Sequence, residues 1–125
     1  MGGSTGDNWA ASITLEARDR RLSPPITRQI LVYPMLDNPY LGAEFDSDRE
    51  SVAGVEGLPP TYLEIGILDI YRDEVLRSAS RIVAANIVMK VDFYPGQPHG
   101  YDKLAPVSAA AQRAITDRVH AASAL

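Results

Sequence analysis

The sequence contains no cysteine, which excludes a disulfide scaffold, thiol catalysis and a thiolate zinc site. It has only two histidines, His99 and His120, too few for a His-rich metal centre. It has no basic run, and its net charge is −4, so nucleic-acid binding through a phosphate-facing patch is not expected. No apolar run approaches the roughly 20 residues of a membrane span, and no signal-peptide pattern opens the chain. A soluble, cytoplasmic protein is therefore the expectation. There are no internal repeats, linkers or low-complexity segments. What the chain does have is 46% hydrophobic residues over a length of 125, enough for one small domain with its own core.

Residues Asn8 to about Leu22 read as a helix. Trp9, Ala10, Ile13, Leu15 and Ala17 recur at helical spacing against Glu16, Arg18, Asp19, Arg20 and Arg21. Asp7 or Asn8 can cap its start, and Ser23-Pro24-Pro25 ends it, because proline cannot continue a helix. Gln29-Ile30-Leu31-Val32-Tyr33-Pro34 is an apolar run of strand length, as a parallel sheet covered on both faces requires. Asp37-Asn38-Pro39 is turn chemistry. Residues 40 to 58 read as loop with one short helix around Asp48 to Ala53.

A second strand is expected over Thr61 to Leu68, with Asp69 at its C-terminal end. A helix follows from about Tyr71 to Ala85, with Val75, Leu76, Ala79, Ile82 and Val83 on one face and an Asp73–Arg77 pair on the other. Asn86 stands where a left-handed residue should end that helix. Val88 to Tyr94 alternates as a sheet-edge strand does. Pro95 to Gly100 is a loop, and Pro106 opens a last helix to about Ala122, with Ala110, Ala111, Ala114, Ile115, Val119 and Ala122 as its apolar stripe. Strands alternating with helices predict an α/β fold with parallel strands and right-handed crossovers.

In such sheets functional groups collect at the C-terminal ends of strands. Three candidates fall there in the order Ser4, Asp69, His99. Gly2-Gly3-Ser4-Thr5-Gly6 fits Gly-x-Ser-x-Gly, a strained strand-to-helix turn that exposes a serine hydroxyl and needs small neighbours. A serine can attack an acyl carbon, a histidine can take and return the proton, and an aspartate can orient the imidazole. Each residue also has a plainer reading: a vector remnant in Met1-Gly2-Gly3-Ser4, a helix N-cap at Asp69, an exposed loop histidine at His99. All three at strand ends in this order favour the chemical reading. His120 reads as a solvated helix residue, Asp73 as first-turn helix chemistry and Asp37 as a turn former.

These residues resemble the hormone-sensitive-lipase-like esterase family of α/β-hydrolases. Gly2-Gly3-Ser4-Thr5-Gly6-Asp7-Asn8 is similar to that family's Gly-Asp-Ser-Ala-Gly-Gly-Asn elbow, and Tyr33-Pro34-Met35-Leu36-Asp37 to its Tyr-Pro-x-x-Asp segment. Leu58-Pro59-Pro60-Thr61, Gly66-Ile67-Leu68-Asp69 and Arg72-Asp73-Glu74 resemble its Leu-Pro-Pro-Thr, Gly-x-x-Asp and Arg-Asp-Glu signals. Tyr94-Pro95-Gly96-Gln97-Pro98-His99-Gly100-Tyr101 resembles its Tyr-x-Gly-x-x-His-Gly-Phe loop. The likeness covers nearly the whole chain, thinning between Leu41 and Gly57. It implies a partial α/β-hydrolase fold over residues 1–125, the C-terminal part of a domain. About three parallel strands with flanking helices would remain, without the N-terminal half of the sheet. It also implies a serine carboxylesterase or lipase acting on short to medium acyl esters, with no metal or organic cofactor. Ser4 would be the nucleophile, Asp69 the acid, His99 the base, and the Thr5 backbone N–H an oxyanion donor.

Departures from the pattern are as informative. The family's His-Gly-Gly-Gly loop, which supplies part of the oxyanion hole, does not occur in this sequence. Gly3 replaces the family's aspartate, and Asp7 brings a carboxylate towards the oxyanion region. The Ser4-to-Asp69 spacing is shorter than the family's usual one. With the inner strands missing, the Gln29–Tyr33 strand is expected to be an open apolar edge, prone to pair with another chain. Two other readings stay open: a non-catalytic truncated or degenerate hydrolase fragment, and an interaction module using an exposed sheet edge.

Overall fold

The segment Thr61–Gly66 is buried at every position, and the rest of the fold is arranged on its two faces. The computed structural model describes residues 2–3, 5–36 and 54–124, without the side chains of Thr5 and Asn8. The described elements are β1 (Gly2–Gly3), α1 (Thr5–Asp19), β2 (Gln29–Val32), β3 (Thr61–Gly66), α2 (Arg72–Ala84), β4 (Met89–Tyr94), α3 (Tyr101–Leu104) and α4 (Ala109–Ala124). The four strands form one sheet in the order β1-β2-β3-β4, and every pairing is parallel. This is the α/β arrangement that the alternating strands and helices predict. Gln29 sits opposite Thr61, and Thr61 opposite Met89, so the C-terminal ends of the strands rise together.

One strand more than expected is present. Gly2 and Gly3 pair with Leu31 and Val32. The expectation of an open edge along Gln29–Tyr33 is therefore corrected, because β1 covers half of β2. The Asp7 carboxylate, fully buried, accepts the Val32 N–H at 2.5 Å. It ties the first turn of α1 to β2 and fixes that helix beside the short strand. The expected short helix around Asp48 to Ala53 lies outside the described residues.

Helix registers also differ from the hydrophobic pattern. On α1, Ala11, Thr14 and Ala17 are buried, whereas Trp9 and Ile13 are each 58% exposed. On α4 the inward positions are Ala111, Ala114 and Ala121, with Ile115 and Val119 exposed. Both helices turn small residues to the sheet, which lets their axes come close, and carry larger apolar groups outward. Helix α2 buries Val75, Ala79 and Ile82, while Leu76 and Val83 are exposed. Its Asp73 pairs with Arg72, which holds the Asp73 carboxyl below its ordinary range. It ends as the sequence predicts: Asn86 has φ +58°, its N–H donates to the Val83 carbonyl, and the Ile87 N–H donates to that of Ile82, the double bond that closes a helix on a left-handed residue.

Helix α4 starts at Ala109 rather than Pro106, and the Ser108 hydroxyl accepts the Ala111 N–H at 3.2 Å. Serine satisfies an unpaired first-turn donor better than the proline turn before it can. Strand β4 is a sheet edge as expected, although its residues are half-buried along most of their length. It carries the Lys90–Asp92 ion pair, charges of the kind that discourage edge pairing.

Trp9 and Ile13 stand outward on the helix beside β1, and β1 has no second strand neighbour among the described residues. An apolar face next to an unpaired strand edge promotes contact with another chain. The chain should sediment as more than a monomer at micromolar concentration, and a Trp9→Gln/Ile13→Gln double variant should shift it towards the monomer. A concentration-independent monomer for the unsubstituted chain would contradict this.

Candidate active site

Strand β3 stops at Gly66, and the chain turns back at once. The Asp69 N–H donates to the Gly66 carbonyl at 3.1 Å, that of Ile67 to Tyr94 at 3.1 Å, and that of Leu68 to Gln97 at 3.0 Å. The turn after β3 is thus laced to the loop after β4. Gly66 allows this approach: a Cβ there would lie 2.1 Å from the Gln97 carbonyl oxygen. In that loop Gly96 and Gly100 have φ values of +70° and +69°, a region that glycine enters without penalty.

The lacing brings Asp69 and His99 together. Asp69 Oδ2 lies 2.8 Å from His99 Nδ1, and its Oδ1 accepts the Tyr71 N–H at 2.8 Å. The Asp69 side chain is fully buried, and that of His99 is 26% exposed. The bond from Tyr71 is an Asx turn that fixes the carboxylate before the next helix begins. A carboxylate on Nδ1 selects the tautomer with the proton there and leaves Nε2 with the basic lone pair. Tyr33 and Tyr71 set their rings edge-on to the imidazole, with centroids at 5.0 and 5.3 Å.

A polar chain runs beneath. The Tyr33 hydroxyl donates to Asp102 Oδ1 at 2.8 Å, and Asp102 Oδ2 pairs with Arg118 Nη1 at 2.7 Å. Arg118 grips Glu64 with two bonds of 2.8 and 2.6 Å, and the Tyr101 hydroxyl donates to Glu64 Oε1 at 2.8 Å. Burial, with Asp102 as acceptor, pushes the Tyr33 hydroxyl up, so it stays a donor. Burial also acts to raise Asp102, but its bonds from Tyr33 and Arg118 outweigh that and hold its carboxyl below the ordinary range. Arg118 loses hydration, which lowers it, yet its carboxylate partners push it up overall.

The structure therefore brings together two of the sequence-predicted residues, Asp69 and His99. Asp69 lies three residues beyond the end of β3 rather than on it. Ser4 lies outside the described residues. Its neighbours do not: Gly3 ends β1 and Thr5 opens α1, so the motif spans a strand-to-helix junction. A Cβ at Gly3 would lie 3.9 Å from the Tyr33 hydroxyl oxygen, so Gly3 and His99 both neighbour the Tyr33 ring. The Thr5 N–H belongs to the first turn of α1, where backbone donors lack intrahelical acceptors. His120 is exposed on α4, Asp73 is exposed in the first turn of α2, and Asp37 lies outside the described residues. The Asp7 carboxylate is buried and accepts the Val32 N–H.

Sequence reasoning missed Tyr33, Glu64, Asp102 and Arg118. Glu64 carried the available signal: a lone charge inside an apolar strand must find a buried partner.

The fold is that of the esterases. Esterase LipW from Mycobacterium marinum superposes with a TM-score of 0.80 at 29% identity, over 95% of this chain and 47% of that one. An esterase from the fungus Rhizomucor miehei gives 0.80 at 21% identity, over 94% and 48%. A thermostable esterase from Pseudomonas putida gives 0.77 at 24% identity, over 92% and 47%. The chain has the α/β-hydrolase fold, and it resembles the hormone-sensitive-lipase-like esterases in fold and motifs. It spans about half the length of the solved esterases it matches. No protein-family model and no curated protein sequence matches it. Among the described residues no helix is long and apolar enough to cross a membrane.

Two consequences are measurable. Gly66→Ala should cost about 1–3 kcal/mol in urea unfolding, as overpacking does, and loosen the loop that carries His99. Full stability in that variant would refute the close approach. Because the Asp102 carboxyl is depressed in the folded state, its stabilisation is complete above the ordinary aspartate value, about 3.9, and fades as pH falls through the lower folded value. The stability gap between the wild type and Asp102→Asn should therefore close on acidification below about pH 4. A gap that stays constant with pH would refute it.

Proposed function

We propose that the chain carries the catalytic residues of a serine carboxylesterase acting on small-molecule esters of short to medium acyl chains. The observation that carries this reading is the 2.8 Å contact between His99 Nδ1 and a fully buried Asp69 carboxylate, and the Gly-x-Ser-x-Gly sequence around Ser4 supports it. Esterase neighbours of the same fold support it.

In this reading Ser4 Oγ attacks the ester carbonyl carbon, and its proton passes to His99 Nε2. Asp69 holds the ring and offsets the charge of the imidazolium. The carbonyl oxygen becomes an oxyanion facing the Thr5 N–H, near the positive end of α1. Collapse breaks the bond to the alcohol oxygen, which takes the proton back from His99, and leaves an acyl-serine. Water, deprotonated by His99, then attacks that acyl carbon. The acid leaves, and the proton returns to Ser4. The Thr5 N–H is one of the two donors such sites use, and removing one donor costs roughly 10²–10³ in turnover.

A second reading, a surface that another chain covers, is favoured by the exposed Trp9 and Ile13 beside β1. A fluorophosphonate probe separates the two. The folded chain should be labelled, and Ser4→Ala and His99→Ala should each abolish labelling. Asp69→Asn should slow it by about 10⁴, the loss typical when the imidazole is left in the wrong tautomer. A folded wild type that takes up no label would overturn the hydrolase reading.

A further inference from the structure

Tyr33 is fixed at both ends by the same residue. Its backbone N–H donates to the Glu64 carbonyl at 2.8 Å. Its hydroxyl binds Asp102, Asp102 binds Arg118, and Arg118 binds the Glu64 carboxylate. The bonds thus close a ring that starts and finishes on Glu64 and runs from the residue after β2 through α3 and α4 to β3. Along it Glu64 is fully buried, and the Arg118 and Asp102 side chains are only 16% and 12% exposed. Tyr33 itself has φ +42°, in a region a non-glycine residue enters only when its surroundings hold it.

A tyrosine needs no such closure to fill a core. What distinguishes this one is where its ring ends. It meets the His99 imidazole edge-on at 66° and 5.0 Å, and it lies against Gly3, the residue before the glycine-flanked serine. Tyr71 is the other ring against the imidazole, and it begins from the Asx turn of Asp69. Among the described contacts, His99 has Asp69 on Nδ1 and the edges of Tyr33 and Tyr71, and the Tyr33 ring is pinned by a buried ionic network. That network also reaches the backbone after the histidine, because Tyr101 and Asp102 both belong to it and to α3, which starts two residues beyond His99.

We propose that Tyr33, locked by the Glu64–Arg118–Asp102 ring, is the positioning residue for His99: it holds the imidazole plane so that Nδ1 stays on Asp69 and Nε2 faces the serine. The proposal rests on the serine-hydrolase reading for what Nε2 faces, but not for how the ring is held. Small errors in placing a catalytic base are costly, since a shift of about 1 Å can lower a rate by roughly 10²-fold. Because burial pushes the Tyr33 hydroxyl up, it remains a donor throughout the pH range in which an imidazole titrates.

The test reads His99 directly. In long-range 1H–15N spectra the two imidazole nitrogens of the wild type should show the widely separated shifts of a single Nδ1-protonated tautomer. Tyr33→Phe and Asp102→Asn should each bring the two shifts towards one another and slow fluorophosphonate labelling by about tenfold, within the range misplacement produces. Tyr94→Phe is the control. It removes another hydroxyl bond, the one to Asp117 at 2.6 Å, and should leave the His99 shifts and labelling as in the wild type. Arg118→Gln is avoided, because it would leave Glu64 buried without its cation and endanger folding. His99 shifts unchanged in both Tyr33→Phe and Asp102→Asn would overturn the proposal, as would equal movement in Tyr94→Phe. Absent labelling of the wild type with the shift pattern as expected would sink the hydrolase reading alone, since the nitrogen shifts require no turnover.

Discussion

A carboxylate lies at the centre of this sheet, and the rest of the molecule accommodates it. Glu64 is fully buried in β3, and an isolated charge there would be prohibitive. The two-point grip of Arg118 and the hydroxyl of Tyr101 satisfy it. Meeting that demand sets the rotation of α4, which turns Arg118 and three alanines inward and leaves Ile115 and Val119 outside. Such a pair contributes little net stability against a well-packed apolar alternative, but it penalises every register in which the carboxylate lacks its partner. The same guanidinium passes the constraint through Asp102 to Tyr33, and so to the edge of the imidazole.

The second constraint is the close approach of two turns. Gly66 lets the Gln97 carbonyl come against β3, and the loop that follows carries His99 back over Asp69. Neither turn would hold this shape alone. The parallel register of β3 and β4 sets their ends at one height, and the left-handed Gly96 and Gly100 give the loop its reversals. The candidate acid and base are thus joined by the sheet rather than by any helix, as expected where chemistry gathers at the C-terminal ends of parallel strands.

Much of this was legible in the sequence, and the exceptions share a cause. Strands β2 and β3 were readable because buried parallel strands are nearly continuous apolar runs, and β4 because an edge strand alternates. Asp69 and His99 were readable because turn chemistry surrounds both. Asn86 announced the end of α2. The faces of α1 and α4 were legible only in part: Ala17, Ala111 and Ala114 are buried as expected, but Trp9, Ile13, Ile115 and Val119 are exposed, because close packing needs small residues and α4 must also deliver Arg118. Strand β1 went unread because a pair of glycines carries no side-chain pattern; only the Leu31–Val32 backbone identifies it. The Tyr33–Asp102–Arg118–Glu64 ring joins residues distant in sequence, so no local spacing could reveal it.

The central claim is that Ser4 forms an acyl intermediate served by His99 and Asp69. The direct measurement is mass spectrometry of the chain mixed with p-nitrophenyl acetate, quenched in acid and digested. The account predicts a single acetyl group on the N-terminal peptide containing Ser4, absent when His99 is alanine. Acetylation confined to other peptides, or none on a folded chain, would contradict it.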